Sequence, residues 1–363
     1  MSSGESLTLD EALDVLEKNA AEADAVPSWP AASWDALRRC GSLGWIMPRE
    51  YGGSGLDPLE LLEGYQRLAG ACMTTCFLLS QRDSACRRLR DSGHEALCRE
   101  LLPSLASGQR FATVGLAQLT TSRQHVRPVL TARLDGDGVR LDGVMPWVTG
   151  APQADHFITG VVLDDGRQML LVVPRDATGL SVGPSMELMA LQGSLTAEVR
   201  CRDVRLERRW ILAGPAERIL AGGRGPGGLE TSGLALGLAK SAIGYLQREA
   251  NKRMEWQGRA AACAESWQAL QEQLGRLARE GADAQAASHL RAKVNALVLR
   301  ATQFALAAAK GAGFLRSHPA QRWARQALFF LVWSCPAPAL DATLTCLALP
   351  EDVALPSLPP PVR

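Results

Sequence analysis

Apolar residues recur at helical spacing through the first hundred positions. Leu9, Ala12, Leu13, Leu16 and Ala20 fall on one face, and Thr8 with Glu11 three residues on forms a capping-box pattern at the start of that stripe. Pro27 and Pro30 end it. A turn-rich loop over 48–55 separates Trp34, Leu37, Leu43 and Trp45 from a second stripe, Leu59, Leu62, Tyr65, Leu68 and Ala71. Two more helices are expected, over about 76–89 and 95–102. At Ser107-Gly108 the texture changes. From about 110 to 212 the period drops to two, and the segments 129–133, 156–163, 168–174 and 199–204 read as strands. Turns are expected at 135–138, at Asp142-Gly143 and at 164–166. After the glycine-rich run 221–228 the helical period returns, in four segments of about 228–256, 260–281, 285–310 and 318–334.

This order predicts an α+β protein. An N-terminal α-helical domain covers 1–106, a middle β-domain built as a barrel or sandwich covers 107–212, and a hinge covers 213–227. A C-terminal four-helix bundle covers 228–345, and a proline-rich tail covers 346–363.

Composition removes several functions. The chain has 363 residues and a formal net charge of +1, so no single-sign field is present to gather nucleic acid. No apolar run reaches the ~18–20 residues of a membrane span, and the acidic first 25 positions do not resemble a secretory signal. A cytoplasmic protein without a membrane partner is expected. The nine cysteines form no CxxC pair and the five histidines stand apart from them, so no metal site is expected and the thiols read as reduced.

Four segments resemble the acyl-CoA dehydrogenase family. The stretch 43–56, LGWIMPREYGGSGL, is similar to the family's LG-x-x-x-P-E-x-YGG-x-GL. The stretch 141–149 resembles LNG-x-K-x-WIT, 173–181 resembles VP-x-D-x-x-GLS, and 192–197 resembles RGS-x-T-x. All four occur in the family's order. The resemblance implies FAD as cofactor and dehydrogenation of an acyl thioester carried by coenzyme A or a carrier protein. It further implies a homodimer or tetramer and an electron-transfer flavoprotein as acceptor.

The resemblance also assigns candidate residues. Trp147 would cover one face of the flavin ring and Thr149 would hydrogen-bond its edge; two residues apart on a strand, both can face one ligand. Gln118, Thr120, Thr121 and Ser122 occupy the place of the family's TEPDAGSD segment, without its Glu, Pro and Gly. Ser122, Arg123, Ser194 and Thr196 would lie nearest the substrate. Removal of an α-proton needs a carboxylate. The family's usual Glu falls here at Ser334, and its alternative position falls at Gly227. The nearest carboxylate is Glu230, about one helical turn away. Glu230 also fits a plain helix start, where the dipole favours an acid. In the bundle, the family's nucleotide-gripping motifs are thinned, leaving Arg248 and Arg253 as candidate replacements. Three readings stay open: a flavin-dependent acyl thioester dehydrogenase, a reduced-flavin monooxygenase on the same scaffold, and a non-catalytic relative.

Overall fold

The computed structural model describes residues 6–120, 129–220, 229–335 and 337–347. Five helices come first: α1 (Leu9–Ala25), α2 (Ala31–Arg39), α3 (Pro58–Ala71), α4 (Met73–Arg90) and α5 (Glu95–Ala106). Local chemistry sets their starts. Thr8 accepts from the Glu11 N–H while the Glu11 carboxylate accepts from the Thr8 N–H at 2.8 Å. Asp57 and Glu60 make the same box at α3, with Pro58 at its first position.

The middle region holds β1 (Ala112–Gly115), the short α6 (Ala117–Thr120), β2 (Leu130–Asp135), β3 (Gly138–Val148), β4 (His156–Leu163), β5 (Gln168–Pro174), β6 (Leu180–Ser185), β7 (Ala197–Leu206) and β8 (Ile211–Ala216). They form one mixed eight-stranded sheet in the order β6-β7-β3-β2-β4-β5-β8. β1 and β2 both pair parallel to β4, β1 along its first half and β2 at its end. Among the described residues the pairing is a path rather than a ring, so the expected barrel is an open one. The Asp142-Gly143 turn expected from the sequence instead lies inside β3, paired regularly with β2 and opposite a register shift in which β7 carries the extra residue. Gly143 has φ +125°, and a Cβ there would lie 2.0 Å from the Val129 carbonyl oxygen.

The bundle contains α7 (Leu229–Ala250), α8 (Gln257–Glu280), α9 (Ala284–Ala308) and α10 (Pro319–Leu328), followed by α11 (Ala337–Leu347). α7 packs on α3 at backbone distance. A Cβ on Gly237 would lie 2.2 Å from the Gln66 carbonyl oxygen, and Ser241 Oγ donates to the Gly70 carbonyl at 2.8 Å. One hydrophobic core runs continuously through the N-terminal helices and the bundle, and a second fills the sheet. The fourth bundle helix is shorter than its periodicity suggests. It stops at Leu328 and passes into a 3-10 turn, because buried Arg291 on α9 draws the Phe330 and Trp333 carbonyls to its Nη2 at 3.3 and 3.1 Å. Ser334 follows with φ +44°. α11 was not foreseen, since prolines surround its start; Pro338 sits within its first turn, where a missing N–H costs nothing. Among the described residues no helix is long and apolar enough to cross a membrane.

Candidate functional site

The end of β3 presents Trp147, Val148 and Thr149 in sequence. Val148 is wholly buried in the core of the sheet. Trp147 is 55% exposed and, among the described residues, stacks on no other ring. Thr149 is buried, and its surroundings are hydroxyls. Its Oγ1 lies 3.4 Å from Thr196 Oγ1, which lies 3.0 Å from Ser194 Oγ. Thr113 on β1 donates to the Thr149 carbonyl at 2.7 Å. The next residue, Gly150 (φ +68°), donates its N–H to the Ser194 carbonyl at 2.8 Å. Phe111 occupies the space a Gly150 Cβ would need, at 2.7 Å.

The loop carrying Ser194 is held in an unusual shape. Leu191 and Leu195, on either side of the 3-10 turn Gln192–Ser194, have φ of +62° and +47°. Non-glycine residues rarely adopt that region and do so where surrounding contacts enforce it. The contact here is Asp24, at the end of α1 and only 1% exposed. Its Oδ1 accepts from the Leu191 N–H at 3.0 Å and from Gln326 Nε2 at 2.8 Å, and its Oδ2 accepts from Arg325 Nη2 at 2.7 Å. One carboxylate thus ties the N-terminal helices, the hydroxyl-bearing loop and α10 together.

Gln118 is turned into the sheet. Its Nε2 donates to the Gly115 and Gly160 carbonyls at 2.9 and 2.8 Å and to Thr159 Oγ1 at 3.1 Å, while its Oε1 is buried without a partner among the described residues. Thr120 closes α6. Thr121, Ser122 and Arg123 lie outside the described residues. The structure therefore brings the hydroxyls of Thr149, Ser194 and Thr196 to one place, with Trp147 two residues before Thr149, while Gln118 is bonded to Gly115, Thr159 and Gly160.

Glu230 stands apart from this cluster. In the first turn of α7 it faces Arg87 on α4, with Oε1 2.6 Å from Nη1 and Oε2 accepting from Nη2 at 2.7 Å. The first contact is an ion pair outside hydrogen-bond angles. Burial pushes the Glu230 carboxyl up, and Arg87 pulls against it. Burial works against the Arg87 cation, but Glu230, Tyr65 and Asp83 outweigh it and its pKa rises. Beside this pair, Tyr65 donates to Asp83 Oδ2 at 2.6 Å, and fully buried Arg82 lies 2.5 Å from Asp83 Oδ1. Burial, then Asp83, holds the Tyr65 phenol well above its usual range. This charged group was not foreseen. Arg82 and Asp83 stand among Ser80, Gln81 and Ser84 in α4, a polar stretch that reads in the sequence as a solvated helix face.

Ser334, at the family's base position, is exposed. Arg253 donates to Glu249 Oε2 at 2.7 Å and to the Ala308 carbonyl, and Arg248 lies over the Tyr245 ring. Both arginines are thus engaged on the bundle itself. Among the described residues no three His, Cys, Asp or Glu gather as metal ligands would.

Known proteins are similar to this chain on the same lines. Residues 9–109 match the profile of the acyl-CoA dehydrogenase N-terminal domain. A probable acyl-CoA dehydrogenase of Bacillus subtilis, YngJ, is 27% identical over 274 residues, covering 72% of this chain and 70% of that protein. The human mitochondrial short-chain specific acyl-CoA dehydrogenase is 25% identical over 242 residues, covering 65% of this chain and 59% of that protein, under two thirds of its length. The fold of butyryl-CoA dehydrogenase from Megasphaera elsdenii superposes with a TM-score of 0.80 at 19% identity, over 96% of this chain and 100% of that one.

Proposed function

The chain belongs to the acyl-CoA dehydrogenase family, and on that premise we propose that it is an FAD-dependent oxidoreductase acting on the CH–CH bond of an acyl thioester. The observation that carries this reading is the buried hydroxyl cluster of Thr149, Ser194 and Thr196, with the half-exposed Trp147 two residues before Thr149 on the chain. These residues fit a flat heterocycle. An exposed aromatic side chain can cover one side of the ring, and a hydroxyl can both donate to and accept from a heterocycle edge. Gln118 Oε1 adds a buried acceptor without a partner among the described residues. When bound, FAD supplies a hydride acceptor. The protein's part is to orient and to exclude water. Thr196 holds the Thr149 hydroxyl in place, Ser194 holds Thr196, and Asp24 fixes the loop that carries both.

Glu230, the candidate base, is paired with Arg87 apart from the hydroxyl cluster, so proton removal by it requires both release of Arg87 and approach to the flavin site. That requirement favours a second reading, a relative that binds flavin without dehydrogenating thioesters. Ser334 at the family's base position supports it. One experiment separates the two. Anaerobic addition of acyl-CoA esters to the flavin-loaded protein bleaches the flavin on the first reading. Absence of bleaching with every chain length leaves the second. Glu230→Gln removes the proposed base, and an unchanged bleaching rate would take Glu230 out of the mechanism. The proposal includes a homodimer with the nucleotide half of FAD gripped across subunits; sedimentation as a monomer at micromolar concentration would contradict it.

A further inference from the structure

The loop over 46–58 forms the wall of a cavity. The cavity, about 500 Å³, lies between this loop, the C-terminal end of α4, the first turn of α7 and the turn joining α8 to α9. Its volume falls in the ~300–1,000 Å³ range of small-molecule sites. Ile46, Leu56, Leu61, Leu229 and Leu277 give it apolar walls, and Arg87 and Arg90 are its two cations.

Both cations are matched. Arg87 holds Glu230 through two contacts. Arg90 donates through Nε and Nη2 to Asp91 at 2.7 and 3.2 Å, and through Nη1 to the Ile46 carbonyl at 2.9 Å. An anion entering the cavity would meet guanidiniums whose charge Glu230 and Asp91 already match from behind the lining, and a cation would meet two arginines. Neither gains net Coulomb energy, and each gives up hydration. A neutral aliphatic group loses little hydration and gains contact with five apolar side chains. The cavity is also remote from the hydroxyl cluster. Leu78 on α4 packs against Gly150, and Arg87 follows nine residues on, about 13 Å further along the helix axis.

We propose that this cavity binds a neutral, medium-length aliphatic molecule or tail, and that the Arg87–Glu230 pair sets the preference for neutral over charged ligands. The probes are 1-octanol, octanoate and octylamine, titrated calorimetrically into the full-length protein. Octanol is expected to bind saturably, with octanoate and octylamine at least about tenfold weaker. Glu230→Gln leaves Arg87 unmatched, and octanoate then becomes the tightest of the three. Leu56→Trp, at a half-buried loop position, fills the cavity and abolishes octanol binding; it carries the test if Glu230→Gln does not fold. No saturable octanol binding, octanoate binding as tightly as octanol to the unaltered protein, an unchanged order in Glu230→Gln, or full binding by Leu56→Trp would each overturn the proposal. Displacement of octanol by octanoyl-coenzyme A but not by coenzyme A assigns the occupant as a thioester tail; displacement by neither assigns a free molecule. Heat of binding is read without flavin turnover, so its outcome is independent of the dehydrogenase reading.

Discussion

Asp24 offers the sharpest test of how the site is held. Its carboxylate is 1% exposed and serves three donors from two other parts of the chain. Asp24→Ala removes both acceptor oxygens, and with them the partner of all three donors, at once. The Leu191 N–H and Gln326 Nε2 are themselves buried, and each orphaned donor costs about 1–3 kcal/mol. Arg325 is 30% exposed and keeps Gln321 Oε1 and the Met189 carbonyl, so its share is small, ~0–1 kcal/mol. The expected loss is about 4 kcal/mol, set mainly by the two buried orphans. Asp24→Asn keeps one acceptor oxygen and is expected to lose about half as much. Urea denaturation followed by far-UV circular dichroism and tryptophan fluorescence measures both variants, and coincident transitions establish one cooperative unit. Because Asp24 pins Leu191 in its left-handed conformation, the Ser194–Thr196 loop should loosen and flavin affinity should fall about tenfold in Asp24→Asn. A stability loss below about 1 kcal/mol for Asp24→Ala would refute the reasoning, since it would mean that the three buried bonds had been replaced at no cost.

Three further outcomes are expected. Thr149→Val should change stability by less than about 1 kcal/mol, because the hydroxyl makes only a 3.4 Å contact, yet weaken flavin binding about tenfold in a fluorescence titration. Glu230→Gln should cost about 3–5 kcal/mol in urea denaturation, since it leaves the largely buried Arg87 cation without its counter-charge. His156 is 6% exposed, and burial, then Arg110, lowers its pKa below 6.5. The unfolded chain therefore takes up this proton first as pH falls, so the stability that neutral His156 contributes is present above pH 6.5 and lost below it. His156→Phe should flatten the stability profile between pH 6.5 and 5, and an unchanged slope would show that another group sets it.

The helical stripes and capping boxes were legible because they are local. Thr8 with Glu11 does in the structure what the spacing implied. Trp147, Thr149, Ser194 and Thr196 were singled out through the motifs they sit in, and the structure adds that the three hydroxyls lie together. Features made by distant residues were not. Asp24 meets Gln326 across about three hundred positions of chain, and no local pattern marks a buried carboxylate at a helix end. Asp142-Gly143 has the composition of a turn, and only pairing with β2 on one side and β7 on the other keeps it inside a strand. The end of α10 was misjudged for a related reason, since Arg291 on another helix withdraws the carbonyls that periodicity would have kept in the ladder. Glu230 stood in the sequence as a lone acid at a helix start, and its charge partner lies 143 residues away.

The central claim is that the end of β3 holds a flavin against Trp147. Titration of the purified protein with FAD, read by flavin absorbance after removal of free cofactor, tests it most directly. The account requires a yellow protein with about one flavin retained per chain, and retention at least about tenfold weaker in Trp147→Ala. A colourless protein after FAD addition, or Trp147→Ala retaining flavin as tightly as the unaltered chain, would contradict it.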